Sequence, residues 1–147
     1  MPIETHYVDM GQGAYKHAHG VVTSTDLLTC VLIQSQDVEN TRKLRYILFD
    51  FTDVVEARIG HDIIPQLVEL NHKTALNSPG LLAAIAAPNL VMFGIARNWQ
   101  TLSHSLGWRV QVFRERSEAI AWLTAQLALE KIPSAFLADF PALKPAG

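Results

Sequence analysis

The chain has 147 residues, 49% apolar and 18% charged, with a formal charge of −2, which fits one domain built on a single core. No apolar run approaches the roughly 20 residues of a membrane span, so no integral membrane segment is expected, and the near-neutral charge leaves no footprint for nucleic acid. Met1-Pro-Ile-Glu-Thr-His6 lacks both the basic and the apolar region of a signal peptide, and the lone Cys30 can form no intramolecular disulfide. The expected location is therefore cytoplasmic.

Thr5 to Met10 and Ala14 to His19 alternate around Gly11-Gln12-Gly13, a β-hairpin signal. With Gly11 and Gln12 as a two-residue loop, His6 falls opposite His17. His6, Val8, Met10, Tyr15, His17 and His19 then share one face. Histidines gathered on one face raise the question of zinc. No fourth ligand at a recognisable spacing completes a tetrahedron, so hydrogen-bonded strand histidines are the simpler reading and no metal is expected.

Val22-Thr-Ser-Thr-Asp-Leu27 opens the first helix. Thr23 can accept the Asp26 amide while the Asp26 carboxylate reaches back, a capping box, and Val22 can staple onto Leu27. Leu27, Leu28, Val31 and Leu32 give that helix an apolar face, on which Cys30 is expected to pack as a small hydrophobe. Gln34 to Lys43 reads as a polar linker. Leu44 to Val54 comes next, with a near-continuous apolar run of Tyr46, Ile47, Leu48 and Phe49 closed by Asp50 and Asp53, the pattern of a strand buried on both faces of a parallel sheet.

Val54 to Gly60 reads as a loop, and Asp62 as the cap of a helix to about Leu76, with Pro65 at its third position and Ile64, Leu67, Val68 and Asn71 inward. Asn77-Ser-Pro-Gly80 ends it, and Leu81 to Ala87 forms the next buried strand. Asn89 is the expected cap of a third helix through Leu106, with Val91, Ile95, Trp99, Leu102 and Leu106 on one stripe and Gly107 as the stop. Trp108 to Phe113 is the last strand. Glu118 to about Glu130 is the last helix, with Ala119, Ile120, Leu123 and Leu127 inward.

This order predicts an α/β fold: a mostly parallel sheet of about five strands, an N-terminal hairpin followed by three strand-helix units, with about four helices. It assigns residues 1–131 to the domain. Residues 132–147, with Pro133, Pro141 and Pro145 and no periodicity, read as a tail. Phe136, Leu137 and Phe140 are too apolar to stay in water, and they motivate the expectation of a homodimer.

Several blocks carry a family resemblance: Gly20-Val-Val-Thr-Ser-Thr-Asp-Leu-Leu28, Tyr46-Ile-Leu-Phe-Asp-Phe-Thr-Asp-Val54, Phe93-Gly-Ile-Ala-Arg97, Gly107-Trp-Arg-Val-Gln-Val-Phe-Arg114 and Glu118-Ala-Ile-Ala-Trp-Leu123. Over about residues 3 to 125 the chain resembles the STAS superfamily, the sulfate-transporter and anti-sigma-factor-antagonist domain, and within it the SpoIIAA-like branch of small bacterial proteins. The resemblance implies a regulatory or ligand-sensing role with no chemistry of its own. The same branch is grouped with lipid-binding domains of the Sec14 kind. In anti-sigma-factor antagonists, an Asp-Ser-Ser-Gly-like turn after this strand carries a phosphorylated serine. Here that turn falls on Arg58-Ile59-Gly60, which has no hydroxyl, so the switch is not carried over.

The candidate ligand-binding residues are Asp50, Thr52, Asp53, Asn89 and Arg97. Asp50, Thr52 and Asp53 sit where a parallel strand opens into a loop, the place where open α/β sheets bind ligands, although turn chemistry also explains them. Asn89 heads a helix whose amides can hold an anion, or is an ordinary cap. Arg97 lies on the line Asn89, Phe93, Arg97 and can reach back to that edge or form a salt bridge. Gly11-Gln-Gly13 lacks the third glycine of a dinucleotide fingerprint, and there is no Gly-x-Ser-x-Gly, phosphate-binding loop or His-Glu-x-x-His. His61 beside Asp62 suggests a base and its orienter, but neighbours in sequence rarely face each other at a helix start. No catalytic residue is assigned and no cofactor is expected. The resulting expectation is a non-enzymatic module that binds a small ligand or a protein partner. The alternatives are a Sec14-like carrier and an enzyme using the cleft at the strand ends.

Overall fold

Five strands lie side by side in chain order: β1 (Ile3–Val8), β2 (Gly13–Thr23), β3 (Tyr46–Arg58), β4 (Leu82–Ala86) and β5 (Arg109–Phe113). β1 is antiparallel to β2 and every other pairing is parallel. The computed structural model describes residues 2–143. Right-handed crossovers between strands added successively in one direction deliver their helices to one face of the sheet. Accordingly α1 (Ser24–Gln36), α3 (Ile64–Asn77) and α4 (Leu90–Leu102) share one core. There Leu27, Leu67, Ile95 and Trp99 pack on Phe51, Ala83 and Ile85.

The other face is covered by the chain beyond β5. α5 (Arg116–Leu129) lays Ala119, Leu123 and Leu127 on Tyr46, Leu48, Leu82 and Ala84. Every residue of β4 is buried, as a central strand covered on both faces requires. Its alanines leave room for helices to approach closely on each side.

One helix cannot cover a five-stranded face, and the C-terminal segment completes the cover. Residues 135–143 form α6 (Ala135–Leu143), so the segment read as an aperiodic tail is helical up to the last described residue, and Pro145 lies outside the described residues. Leu137 and Phe140 join the α5 core and are 2% and 6% exposed, so the need that motivated a homodimer is met within one chain. Asp9 anchors the helix. Its carboxylate accepts the Phe136 amide at 3.1 Å and the hydroxyls of Ser134 and Tyr46 at 2.6 Å each. Ser134 in turn accepts the Leu137 amide at 3.1 Å. The local signal for this helix is short, a capping Ser134 and then Phe136, Leu137 and Phe140 at helical spacing, and what it answers is an uncovered sheet face elsewhere in the chain.

Other expectations shift in detail. The hairpin turns through residues 9–12, with Asp9 and Met10 in the left-handed region at φ 53° and 59°, so His6 pairs with Tyr15 instead of His17. Because the shift is two residues, the face assignment survives, although Met10 leaves the strand for the exposed turn. β3 continues through the expected loop to Arg58, paired with a β2 that extends to Thr23. The linker holds a short helix, α2 (Val38–Thr41). Asp62 does not cap α3; a 3-10 turn, His61–Ile63, leads into it. On α4 the buried residues are Met92, Ile95, Ala96 and Trp99, while Val91 and Leu102 face solvent. The capping boundaries at Thr23 and Asn89 are where the sequence places them.

Candidate functional site

The register of β3 sets the site. His17 pairs with Asp50 and His19 with Asp53, so β3 fits one extra residue against β2. In a regular strand, residues three apart point to opposite faces. The extra residue brings both aspartates to the face carrying Tyr15 and His17, where Asp53 pairs with His17 at 2.6 Å.

Asp50 is wholly buried. One oxygen accepts the Tyr15 hydroxyl at 2.6 Å and the Arg116 guanidinium at 3.0 Å, and the other accepts the Thr52 amide at 3.0 Å. Burial alone would raise the Asp50 pKa. Thr52, Tyr15 and Arg116 outweigh it and hold the carboxyl below its ordinary range. The Thr52 hydroxyl lies near enough to contribute to that field, yet it makes no hydrogen bond of good geometry among the described residues. Tyr15 shows the converse: burial, and then its bond to Asp50, push the phenol well above its usual value. α6 closes this cluster, with Phe136 and Phe140 each 5.3 Å from the Tyr15 ring and Arg116 over Phe140 at 5.2 Å.

Beside this pair, at the carboxyl ends of the parallel strands, a cleft of about 370 Å³ is lined by Thr52, Pro88, Arg114, Glu115, Arg116 and Ser117. Its size falls within the roughly 300–1,000 Å³ of ligand sites. It contains the start of α5, which no side chain caps, so the first amides of that helix face outward with their partial positive charge. Arg114 is exposed, donates to the Pro88 carbonyl at 3.1 Å and lies 5.3 Å from the Phe93 ring. With Arg116 committed to Asp50, Arg114 is the cation of the cleft with no carboxylate partner among the described residues. Glu115 is the opposing charge, exposed to solvent.

Of the sequence-derived residues, the structure brings Asp50 and Thr52 to this edge. Asp53 is engaged by His17. Asn89 acts as a cap, its side chain accepting the Met92 amide at 3.1 Å, so α4 has less to offer an anion than α5. Arg97 does not line the cleft. It is exposed and lies 5.9 Å from the Phe93 ring, and Arg116 instead offsets Asp50. Arg114 and Arg116 had a usable signal: they come directly after the last parallel strand, where the rule of strand ends applies as it does after Asp50. Starting the last helix at Glu118 hid them.

The histidines do not converge. The rings run in a ladder, His6 to Tyr15 at 6.2 Å, Tyr15 to His17 at 5.9 Å and His17 to His19 at 5.8 Å, with Tyr15 standing between His6 and His17. Glu4 sits by His6 and His19 at 3.5 and 3.6 Å. Among the described residues no three metal-ligating groups gather around a common point.

The strand order, the antiparallel first pair and the helix layers define a SpoIIAA-like α/β fold. Among solved structures the chain is similar to an uncharacterised protein of the DUF3478 family with a SpoIIAA-like fold from Shewanella loihica PV-4. The two are 14% identical with a TM-score of 0.51 over 82% of this chain and 91% of that one. No protein-family model and no curated protein matches the sequence. Among the described residues no helix is long and apolar enough to cross a membrane.

Proposed function

We propose that this chain is a non-enzymatic STAS-like module that binds a small anionic ligand in the cleft at the strand ends and presents the bound state to a protein partner. The observation that carries this reading is the pairing of an uncapped α5 N-terminus with Arg114, whose charge has no carboxylate partner among the described residues, in a cleft of ligand size. Arg116 is held by Asp50 and serves as the wall. The reading includes no serine switch, since Arg58-Ile59-Gly60 at the end of β3 carries no hydroxyl, and its glycine amide donates to the Ser24 hydroxyl at 3.1 Å.

The carrier alternative needs an apolar chamber. The cavity between the sheet and α1, α3 and α4, lined by Phe49, Phe51 and Trp99 among others, measures about 40 Å³. That is far below the roughly 300–1,000 Å³ of ligand sites, so a lipid could enter there only by opening the core.

Native mass spectrometry of the protein purified from its own host tests the reading. A retained adduct that disappears in Arg114→Gln supports it. An adduct that persists in that variant overturns the cleft as the site.

A further inference from the structure

The sheet ends in β1 on one side and β5 on the other, and the two edges differ. In β5 the Arg109 amide donates to the Leu81 carbonyl at 3.1 Å, and the Phe113 carbonyl accepts the Ala87 amide at 2.8 Å. Alternate residues of a strand bond opposite neighbours, so the backbone of Val110 faces outward. Its carbonyl accepts the Gln100 side chain at 2.8 Å, which blunts that edge.

The phase of β1 follows in the same way. The His19 amide donates to the Pro2 carbonyl at 2.8 Å, in step with the β1–β2 register. The Tyr46 amide donates to the Gln12 carbonyl at 3.2 Å, which turns the even-numbered residues of β2 toward β3 and the odd-numbered ones toward β1. Glu4, His6 and Val8 therefore bond β2, and the amides and carbonyls of Ile3, Thr5 and Tyr7 point away from the sheet. Among the described residues no side chain or loop bonds those outward groups. Glu4 to Tyr7 are exposed and hold an unbroken register, with no proline, lysine or bulge to protect the edge.

We propose that this edge is a self-association surface, on which a second copy of the chain lays its β1 antiparallel to the first about a two-fold axis at Thr5. In that register Thr5 faces Thr5 and Ile3 faces Tyr7, each pair exchanging backbone hydrogen bonds through the outward groups. Glu4 faces His6 on both sides of the axis, in the non-hydrogen-bonded pairs where side chains come closest. Moving the axis by one residue sets Glu4 against Glu4 or His6 against His6, so the charge pattern selects one register. A neutral imidazole donates its N–H to the carboxylate and an imidazolium adds charge, so the pair serves in both states. On the α1 face, Ile3 and the exposed Ile33 line a cavity of about 200 Å³, and the register brings Tyr7 of the second copy opposite that Ile3. The contact uses no residue of α6 or of the strand-end cleft and does not depend on the anion reading.

Sedimentation velocity and amide hydrogen exchange on the full chain test it. The wild type should dimerise as its concentration rises to about 100 μM, and exchange at the Thr5 and Tyr7 amides should slow with it, while Val110 and Val112 at the other edge do not change. The side chains of Glu4 and His6 are 49% and 54% exposed, so both can be replaced without disturbing the core. His6→Glu sets carboxylate against carboxylate at both pairs and should weaken association about tenfold or more, and adding Glu4→His should restore it. A monomer throughout, a dimer that His6→Glu does not weaken or that the added Glu4→His does not restore, or protection at Val110 and Val112 in place of Thr5 and Tyr7, overturns the proposal.

Discussion

Asp50 and Arg116 form a 3.0 Å ion pair across 66 positions of sequence, with Asp50 fully buried and the Arg116 side chain 11% exposed. Removing one partner of a buried pair leaves the other charge without compensation. Arg116→Met should therefore lower stability by about 3–5 kcal/mol. The double variant Asp50→Asn, Arg116→Met should recover part of that loss. Denaturant unfolding reads both values, and a single-variant loss below about 1 kcal/mol would show that the pair is dispensable.

The same cluster sets a pH dependence. The folded pKa of Asp50 lies below its unfolded value, so its stabilisation is complete above the unfolded pKa of about 3.9 and is lost as pH falls through the folded pKa. Tyr15 and Tyr46 have raised pKa values, each chiefly by burial, so their contribution is complete below about pH 10 and fades as pH rises beyond it. The stability gap between wild type and Asp50→Asn should shrink in acid, and that between wild type and Tyr46→Phe should shrink in alkali. Gaps independent of pH at both ends would contradict these assignments.

Thr23 closes a full capping box with Asp26, donating its backbone amide at 2.9 Å and accepting the Asp26 amide at 3.2 Å. Thr23→Ala should lower stability by about 1 kcal/mol. A change within error in equilibrium unfolding would mean that the box contributes nothing to α1.

Phe140 is 6% exposed between Tyr15 and Arg116, and it carries the closure of the second face by α6. Phe140→Ala should lower stability by about 3–5 kcal/mol, the usual range for a buried aromatic. It should also quicken hydrogen exchange at the Phe136 and Leu137 amides, which Asp9 and Ser134 hold. Unfolding at the wild-type midpoint would mean that α6 does not support the core.

The features legible in the sequence were local. The Thr23 box, the Asn89 cap and the buried run from Tyr46 to Phe49 are written within a few residues of where they act. The unread parts are long-range. Arg116 owes its role to an aspartate 66 positions away, and α6 to a sheet face that the crossover rule leaves open. The extra residue that aligns Asp50 with Asp53 leaves no mark in hydrophobic alternation. For that reason both aspartates could be named from the sequence while their different partners could not.

The central claim is that the cleft between the β3 and β5 ends binds an anion through Arg114 and the α5 amides. Isothermal titration with inorganic phosphate and small phosphate monoesters, on wild type, Arg114→Gln and Arg97→Gln, tests it directly. Arg114 is exposed and outside the buried pair, so its loss should leave the fold intact. Binding should weaken about tenfold, or about 1.4 kcal/mol, in Arg114→Gln and stay at the wild-type value in Arg97→Gln. Wild-type binding by Arg114→Gln, or loss of binding in Arg97→Gln alone, would contradict the account.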